Sequence, residues 1–580
     1  MQSIRQESAM PTAAQHLVDT LAASGVSRVY GIAGDSLNGF TDALRATDGI
    51  DWVSTRHEEA AAFAASAEAG LTGSLAACAG SCGPGNTHLI NGLYDAKRSR
   101  VPVLAIAAQI PSEEIGTGYF QETHPQELFR EASVYVEHVS AAKQLPRLLR
   151  IAIREALGQG GPAVLVVPGD VLLAQVDTAA EAVLPTESTV LPAGPALAGA
   201  AQALNDCTRV TILAGAGVEG AHAEVVELAE RLRAPIVHAL RGKEFIEHDN
   251  PYDVGMTGLL GFASGYHAMM QAETLVLLGT DFPYPQFLPQ DATVIQVDVR
   301  GGQIGRRISV EHPLVGDVRT TVEALLPMLS QKKDSKHLDR MVKHYRKTRK
   351  ELDELATPAR RRIHPQYLTR LLDEGASDDA VFIPDVGSPV MWAARHLTMN
   401  GTRRLIGSFT HGSMANALSQ AIGAQAAYPD RQIVAMAGDG GLTMLLGELL
   451  TVTQHDLPIK TVVYNNDSLN FVELEMKAAG FVTHATDLNN PDFAAVAEAL
   501  GIKGFRVEKP KDLEATVQEF LAHDGPALLD VVVERQELSM PPSIKAEQAA
   551  GFALFAVRTV LSGRGDELID LAKANLRQLL

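Results

Sequence analysis

The sequence predicts an α/β protein built from three doubly wound parallel-sheet domains followed by an amphipathic C-terminal tail, and three observations carry that prediction. Apolar runs rich in Val, Ile and Leu alternate with Ala-rich helical patterns, as expected for parallel strands covered by helices on both faces. The 580 residues suffice for three or four domains at roughly 150 residues each. Two stretches interrupt the alternation, Leu184-Pro-Thr-Glu-Ser-Thr-Val-Leu-Pro-Ala-Gly-Pro195 and a charged run over residues 332–362.

In chain order, buried strands are expected at residues 101–108, 163–167, 210–214, 274–278, 294–297, 432–437, 461–464 and 527–533. The interruptions place the domains at residues 1–185, 186–345 and 346–536, with the tail at 537–580, and the second interruption is expected to contain helix. The first and third blocks echo one another. Gly83-Pro-Gly85 precedes Pro102 and an apolar run by 17 residues, and Gly438-Asp-Gly440 precedes Pro458 and another run by 18. Glycine turns before helices are common in α/β folds, so spacing alone leaves coincidence open.

Charge and composition narrow the function. Fifty basic residues against 69 acidic give a formal charge of −19, which opposes binding to a phosphate backbone, so no nucleic-acid partner is expected. Cys78, Cys82 and Cys207 form no CxxC pair, which argues against a disulfide framework or a zinc site. No apolar leader opens the chain and no run of eighteen apolar residues occurs, so the expected location is cytoplasmic.

The most specific motif is Gly438-Asp439-Gly440 at the end of one expected strand, with Asn465-Asn466 at the end of the next after 24 intervening residues. Asp and Asn at consecutive strand ends put hard oxygen ligands at the carboxyl edge of a parallel sheet, where ligands collect. Mg²⁺ prefers such oxygens in company with phosphates. Gly440 and Gly441 let backbone N–H groups approach a diphosphate, with a helix expected to start near Leu442.

This pair resembles the thiamine-diphosphate motif of the pyruvate oxidase and acetolactate synthase superfamily. The resemblance runs over nearly the whole chain, through Gly34-Asp-Ser-Leu-Asn38, Arg56-His-Glu-Glu-Ala60, Gly80-Ser-Cys-Gly-Pro-Gly-Asn86, Gly118-Tyr-Phe-Gln-Glu122, Gly412-Ser-Met414 and Ser562-Gly-Arg-Gly-Asp-Glu567, and points to the quinone-reducing pyruvate oxidases. It implies that the first domain binds the aminopyrimidine, the third binds the diphosphate, and the site forms between two subunits of a homotetramer. The echo between the blocks then reflects two related halves.

The same resemblance assigns roles. Glu58 matches the glutamate that bonds a pyrimidine ring nitrogen, and burial among Ala60 to Ala65 would favour the neutral acid that such a bond needs. Gly412, Ser413 and Met414 match the cofactor-binding turn, with Met414 as the apolar wedge under the bent cofactor. Asp439 and Asn466 match metal-ligating side chains, and Ser468 matches a ligand through its backbone oxygen. Phe120, Gln121, Val386, Phe471 and Glu475 match positions around the reacting centre. His88 reads equally as a site neighbour or a packed helix histidine. One departure is visible: Asn470 precedes Phe471 where the resemblance leads one to expect glycine, which puts the mobility of that ring in question.

In the middle block Gly215, Gly217, Arg241, Thr257, Gly258, Leu259, Leu260, Thr280, Asp281, Phe282, Pro283, Tyr284 and Asp298 resemble the family's FAD-binding positions, with glycines after strands for the pyrophosphate and a later acid for ribose or adenine. FAD persists in acetolactate synthases without net redox chemistry, so flavin binding alone does not define an oxidase. The function implied is oxidative decarboxylation of pyruvate to acetate and CO₂, with two electrons passing through FAD to a membrane quinone. The alternatives are acetolactate synthesis, against which Phe471 argues, and a catalytically silent scaffold, against which Glu58, Asp439 and Asn466 argue. The tail puts Leu568, Ile569, Ala572, Leu576, Leu579 and Leu580 on one helical face, with Asp566 and Glu567 at its start and Lys573 and Arg577 near its end. The resemblance makes it a segment that covers the active site at rest and moves onto the inner face of the cell membrane when the flavin is reduced.

Overall fold

The computed structural model describes residues 10–186, 188–537, 546–561, 568, 571–572 and 574–575. Its strands are β1 (Arg28–Gly31), β2 (Asp51–Ser54), β3 (Ala76–Gly80), β4 (Val103–Gln109), β5 (Tyr135–His138), β6 (Pro162–Pro168), β7 (Val210–Ala214), β8 (Ile236–His238), β9 (Asp253–Met256), β10 (Thr274–Leu278), β11 (Thr293–Asp298), β12 (His312–Val315), β13 (Val381–Pro384), β14 (Arg404–Leu405), β15 (Ile433–Gly438), β16 (Lys460–Asn465), β17 (Lys503–Val507) and β18 (Ala527–Val532). All eight expected strands are present. The others were silent in the sequence because they are short, polar at a sheet edge, or, like Ala76-Ala-Cys-Ala-Gly80, free of β-branched residues.

These strands form three six-stranded sheets, ordered β2-β1-β3-β4-β6-β5, β12-β11-β10-β7-β8-β9 and β14-β13-β15-β16-β18-β17. Neighbours pair in parallel throughout. Numbered within their own units, the first and third sheets have the same strand order, so the echo in the sequence is a repeated topology rather than a coincidence of glycines. The middle sheet has the order 3-2-1-4-5-6, in which ligands collect where the winding reverses, beyond β7 and β10.

One core joins the first and third units. The helix Glu58–Thr72 is almost all small residues, and its Ala61, Ala62, Ala64 and Ala65 share a buried cluster with Ala417, Ala421, Ile422 and Ala424 of the helix Asn416–Ala427. Small side chains allow the backbones to approach closely. A Cβ on Gly423 would stand 2.0 Å from the Ala64 carbonyl oxygen, and one on Gly92 of the helix Pro84–Ser99 would stand 2.5 Å from the Ala62 Cβ. The charged run holds a single helix, Lys336–Leu355, whose His337, Leu338 and Met341 are buried. The division expected at residue 345 falls inside this helix, because its exposed charged face reads as a linker while its apolar stripe packs on the middle unit.

The tail helix Ala546–Leu561 lies against the helix Asn470–Ala478: Phe555 is buried beneath the Lys477 ammonium, 5.5 Å from the ring centroid, and Arg558 donates to the Gly480 carbonyl at 2.7 Å. Further on, Asn575 donates to the Gln536 carbonyl at 2.6 Å. Of the expected apolar tail face, Leu568 is half-buried and Ala572 exposed. Ile569, Leu576, Leu579 and Leu580, with Asp566, Lys573, Arg577 and the Ser562 to Glu567 motif, lie outside the described residues. Among the described residues no helix is long and apolar enough to cross a membrane.

Candidate active site

Glu58 is the first residue of its helix, behind His57, whose Nδ1 caps the helix by accepting the Glu59 N–H at 3.2 Å. The side chain is nevertheless buried rather than solvated. Its Oε2 is hydrogen-bonded to His88 Nδ1 at 2.9 Å, and the His57 and His88 rings stack with centroids 4.2 Å apart. Burial, then the neighbouring His88, holds the His57 imidazole below its usual pKa. His88 thus stands against Glu58, brought there by the close crossing at Gly92 one turn later. On the next face, Asn91 donates to Glu59 Oε1 at 2.7 Å and to Ser413 Oγ at 2.9 Å, tying the first unit to the Gly412-Ser413-Met414 turn of the third.

Asp385, Asp439 and Asn466 follow the adjacent strands β13, β15 and β16 at one sheet edge. Asp439 opens a short helix, Asp439–Met444, so the expected start near Leu442 is corrected: Gly440 and Gly441 lie in its first turn. Asp439 Oδ1 accepts the Gly440 N–H at 2.9 Å, and Oδ2 accepts the Asn466 N–H at 3.1 Å and the Asn490 Nδ2 amide at 2.8 Å. Burial raises its pKa against these bonds. Asn466 Oδ1 accepts the Ser468 N–H at 3.1 Å.

The three expected metal ligands are therefore contiguous, and a donor set of oxygens suits a hard cation such as Mg²⁺. Gly441 has a second reason to be glycine, since a Cβ there would stand 1.7 Å from Asp385 Oδ2. Burial pushes the Asp385 carboxyl up to about 7, while it accepts the Asn416 N–H at 3.2 Å. The Met414 methyl lies 3.4 Å from where a Cβ on Gly440 would be, which seats it beside the glycine turn after β15. Val386 donates its N–H to Asn416 Oδ1 at 3.2 Å.

Phe471 and Glu475 stand one turn apart on the helix Asn470–Ala478, Phe471 half-buried and Glu475 exposed. On the other face Glu473 is buried and accepts from Ser468 Oγ at 2.6 Å, Lys477 Nζ at 2.7 Å and Arg535 Nη2 at 3.1 Å. This network, which the sequence reading did not anticipate, fastens the metal-side loop to the root of the tail. Asn470 adds to it by donating to the Arg535 carbonyl at 2.6 Å, so the residue in the expected glycine position is a buried tether. In the first unit Phe120 is 78% exposed, and Gln121, at φ 63°, accepts the Cys82 thiol at 3.3 Å. Among the described residues no hydrogen bond or ion pair joins Glu58, Phe120 or Gln121 to Val386, Met414, Asp439, Phe471 or Glu475.

The middle-unit positions gather at the switch point of their sheet. Gly215 and Gly217 follow β7 and press on the loop after β10; the Gly217 N–H donates to the Gly279 carbonyl at 2.9 Å, and a Cβ on Gly215 would meet it at 2.4 Å. Gly258, at φ 101°, lies under the Phe282 ring, which meets Tyr284 edge-on at 5.5 Å across Pro283. Thr280 Oγ1 accepts the Phe282 N–H at 3.3 Å, Leu259 is exposed, and the Leu260 carbonyl accepts from the buried Arg395 at 3.1 Å. Asp298 Oδ1 accepts the Arg300 N–H at 2.9 Å, Asp281 pairs with Arg100 of the first unit, and Arg241 donates to the Ser99 carbonyl at 3.0 Å. Burial, then the charge of Arg300, brings the Arg100 pKa down to about 10. Arg100 was not anticipated, because it lies in the first unit, away from the motifs of the middle block. The Thr257 hydroxyl is buried without a hydrogen-bond partner among the described residues. An anionic nucleotide fits this arrangement of glycine turns, guanidinium groups and an unpaired hydroxyl.

Comparison with known proteins agrees with this division. Residues 11–128 match the thiamine pyrophosphate enzyme N-terminal TPP binding domain, residues 197–325 the central domain and residues 385–531 the C-terminal TPP binding domain. A putative thiamine pyrophosphate-containing protein of Bacillus subtilis (strain 168), YdaP, is 37% identical over 566 residues, 97% of this chain and 98% of the relative. A pyruvate oxidase of Lactiplantibacillus plantarum is 29% identical over 530 residues, 89% of this chain and 88% of the relative. The acetolactate synthase isozyme 2 large subunit of Escherichia coli (strain K12) is 32% identical over 542 residues, 91% of this chain and 96% of the relative. With all three domain types present in order, and relatives aligned over nearly its whole length, the chain belongs to the thiamine pyrophosphate-dependent enzymes.

Proposed function

We propose that this enzyme converts pyruvate and water to acetate and CO₂, passing the two electrons released through FAD to a membrane quinone. Thiamine diphosphate, when bound, supplies the carbon nucleophile that adds to the keto group and stores the electron pair left by CO₂. Glu58 would share a proton with the pyrimidine ring nitrogen, with His88 holding its other carboxyl oxygen in place. Asp439, Asn466 and Ser468 would hold Mg²⁺ against the diphosphate, and Met414 would support the ring above Gly440. Gln121, Val386 and Glu475 would orient pyruvate. FAD, held by the middle-unit loops with Arg100, Arg241 and Arg300, would accept the electrons.

The observation that supports the oxidase reading over acetolactate synthesis is Phe471, a half-buried aromatic ring one turn from Glu475, which would occupy space that a second keto acid needs. The complementary Glu58 and Asp439 clusters would be brought together by a second subunit in a homotetramer. The tail packed on the Phe471 helix would release to a lipid surface on the inner face of the membrane after flavin reduction. Product analysis tests this reading. With pyruvate, thiamine diphosphate, Mg²⁺, FAD and a soluble quinone, acetate should appear in a one-to-one ratio with CO₂. Acetolactate as the main product would overturn it.

A further inference from the structure

We infer that Asn490 is a positioning residue for the cation site, its side-chain amide fixing the Asp439 carboxyl against the end of the neighbouring strand. The inference rests on the reading of Asp439, Asn466 and Ser468 as Mg²⁺ ligands. Asn490 lies in the irregular segment between the helices Asn470–Ala478 and Phe493–Ala499, in the unremarkable run Leu488-Asn-Asn-Pro491. Its Nδ2 stands 2.8 Å from Asp439 Oδ2, 3.2 Å from Asn465 Oδ1 and 3.1 Å from Asp467 Oδ1. Two N–H bonds thus face three oxygens, two of them on carboxyl groups, and an amide donor is the neutral group able to gather them.

The acceptors are themselves aimed. Asn465 donates its own Nδ2 to Asp530 Oδ1 at 3.0 Å, which turns its carbonyl oxygen toward Asn490. Asp530 is fully buried, paired with Arg506, and also accepts the Phe493 N–H at 3.2 Å, fixing the chain just after Asn490. Asp467 reaches its place from a left-handed backbone, φ 54°. Asn490 therefore closes a ring of contacts from β15 to β16 to β18, and holds one oxygen of Asp439 while offsetting the repulsion between Asp439 and Asp467. Without its donor, Asp439 can rotate away from Asn466, and two carboxyl groups face each other across an unfilled space.

Mn²⁺ binding to the full chain at saturating thiamine diphosphate, read from the electron paramagnetic resonance of free Mn²⁺, provides the test. Asn490→Leu keeps the volume and removes the donor; Asn490→Ala removes both. Each is expected to weaken Mn²⁺ binding by about 10- to 100-fold, the usual range for groups that orient metal ligands. Should one variant fold poorly, by its unfolding curve without cofactors, the other decides. Wild-type affinity in Asn490→Leu would overturn the inference, since packing alone would then suffice. Failure of the wild-type chain to bind Mn²⁺ with thiamine diphosphate would overturn the metal reading itself, and is a separate outcome.

Discussion

At Glu58 the proposed chemistry turns on one proton: the carboxyl is buried with His88 on one oxygen, and the other oxygen would meet the cofactor ring. Glu58→Gln should therefore preserve the unfolding temperature and cofactor binding while lowering turnover by about 10²- to 10⁴-fold, the range for loss of a positioned acid. Proton exchange at the thiazolium carbon at the wild-type rate would count against this. Lys477 makes a second residue-scale case, since with Glu473 it forms an ion pair in which both side chains are 1% exposed. Lys477→Met should cost about 3–5 kcal/mol in denaturant unfolding, because Glu473 loses one of its buried cations; a loss below 1 kcal/mol would show that Arg535 compensates. Glu58, Asp439 and Asn466 could be singled out as candidates in the sequence because the motifs they resemble fix residue type and spacing. Glu473, Asn490 and Arg100 were not, because each acts through a partner far away in the chain.

Among the elements, the crossing of the helices Glu58–Thr72 and Asn416–Ala427 decides how the first and third units meet. The contact is backbone to backbone at Ala64 and Gly423, so Gly423→Val should force the helices apart and cost at least the 1–3 kcal/mol typical of overpacking. Thermal unfolding would register it, and an unchanged midpoint would mean the crossing is looser than described. The strongly apolar strands were readable in advance, since a run such as Val210–Ala214 allows little else. The Ala- and Gly-rich helices were not so easily placed. Their composition reports close approach without saying to what, and the partner of Ala64 lies in another unit. The 20-residue helix Lys336–Leu355 was legible as helix but not in its extent, since only a narrow stripe of it is apolar and the boundary expected at residue 345 cuts it.

Across the whole molecule, the first and third units repeat one sheet order and flank a middle sheet of the dinucleotide-binding order. Glu448, at the junction of the first and third units, accepts the Arg56 N–H at 3.0 Å, and burial pushes its carboxyl up to about 7. A carboxyl whose pKa is raised on folding contributes stability that is present below its unfolded pKa and is lost as pH rises through the folded value. Wild type should therefore lose stability relative to Glu448→Gln between about pH 4.5 and pH 7, by at most about 3 kcal/mol. A pH-independent difference in unfolding temperature would contradict that ionisation. The three-unit architecture was visible in the sequence, whereas the junctions were not, because they are built from single polar residues such as Asn91, Arg100 and Glu448. The central claim, that electrons leave pyruvate through the flavin, is tested most directly by the visible spectrum of the enzyme loaded with thiamine diphosphate, Mg²⁺ and FAD under anaerobic pyruvate. Bleaching of the oxidised flavin band, with one acetate formed per flavin, is the predicted result; steady CO₂ release with the flavin band unchanged would contradict it.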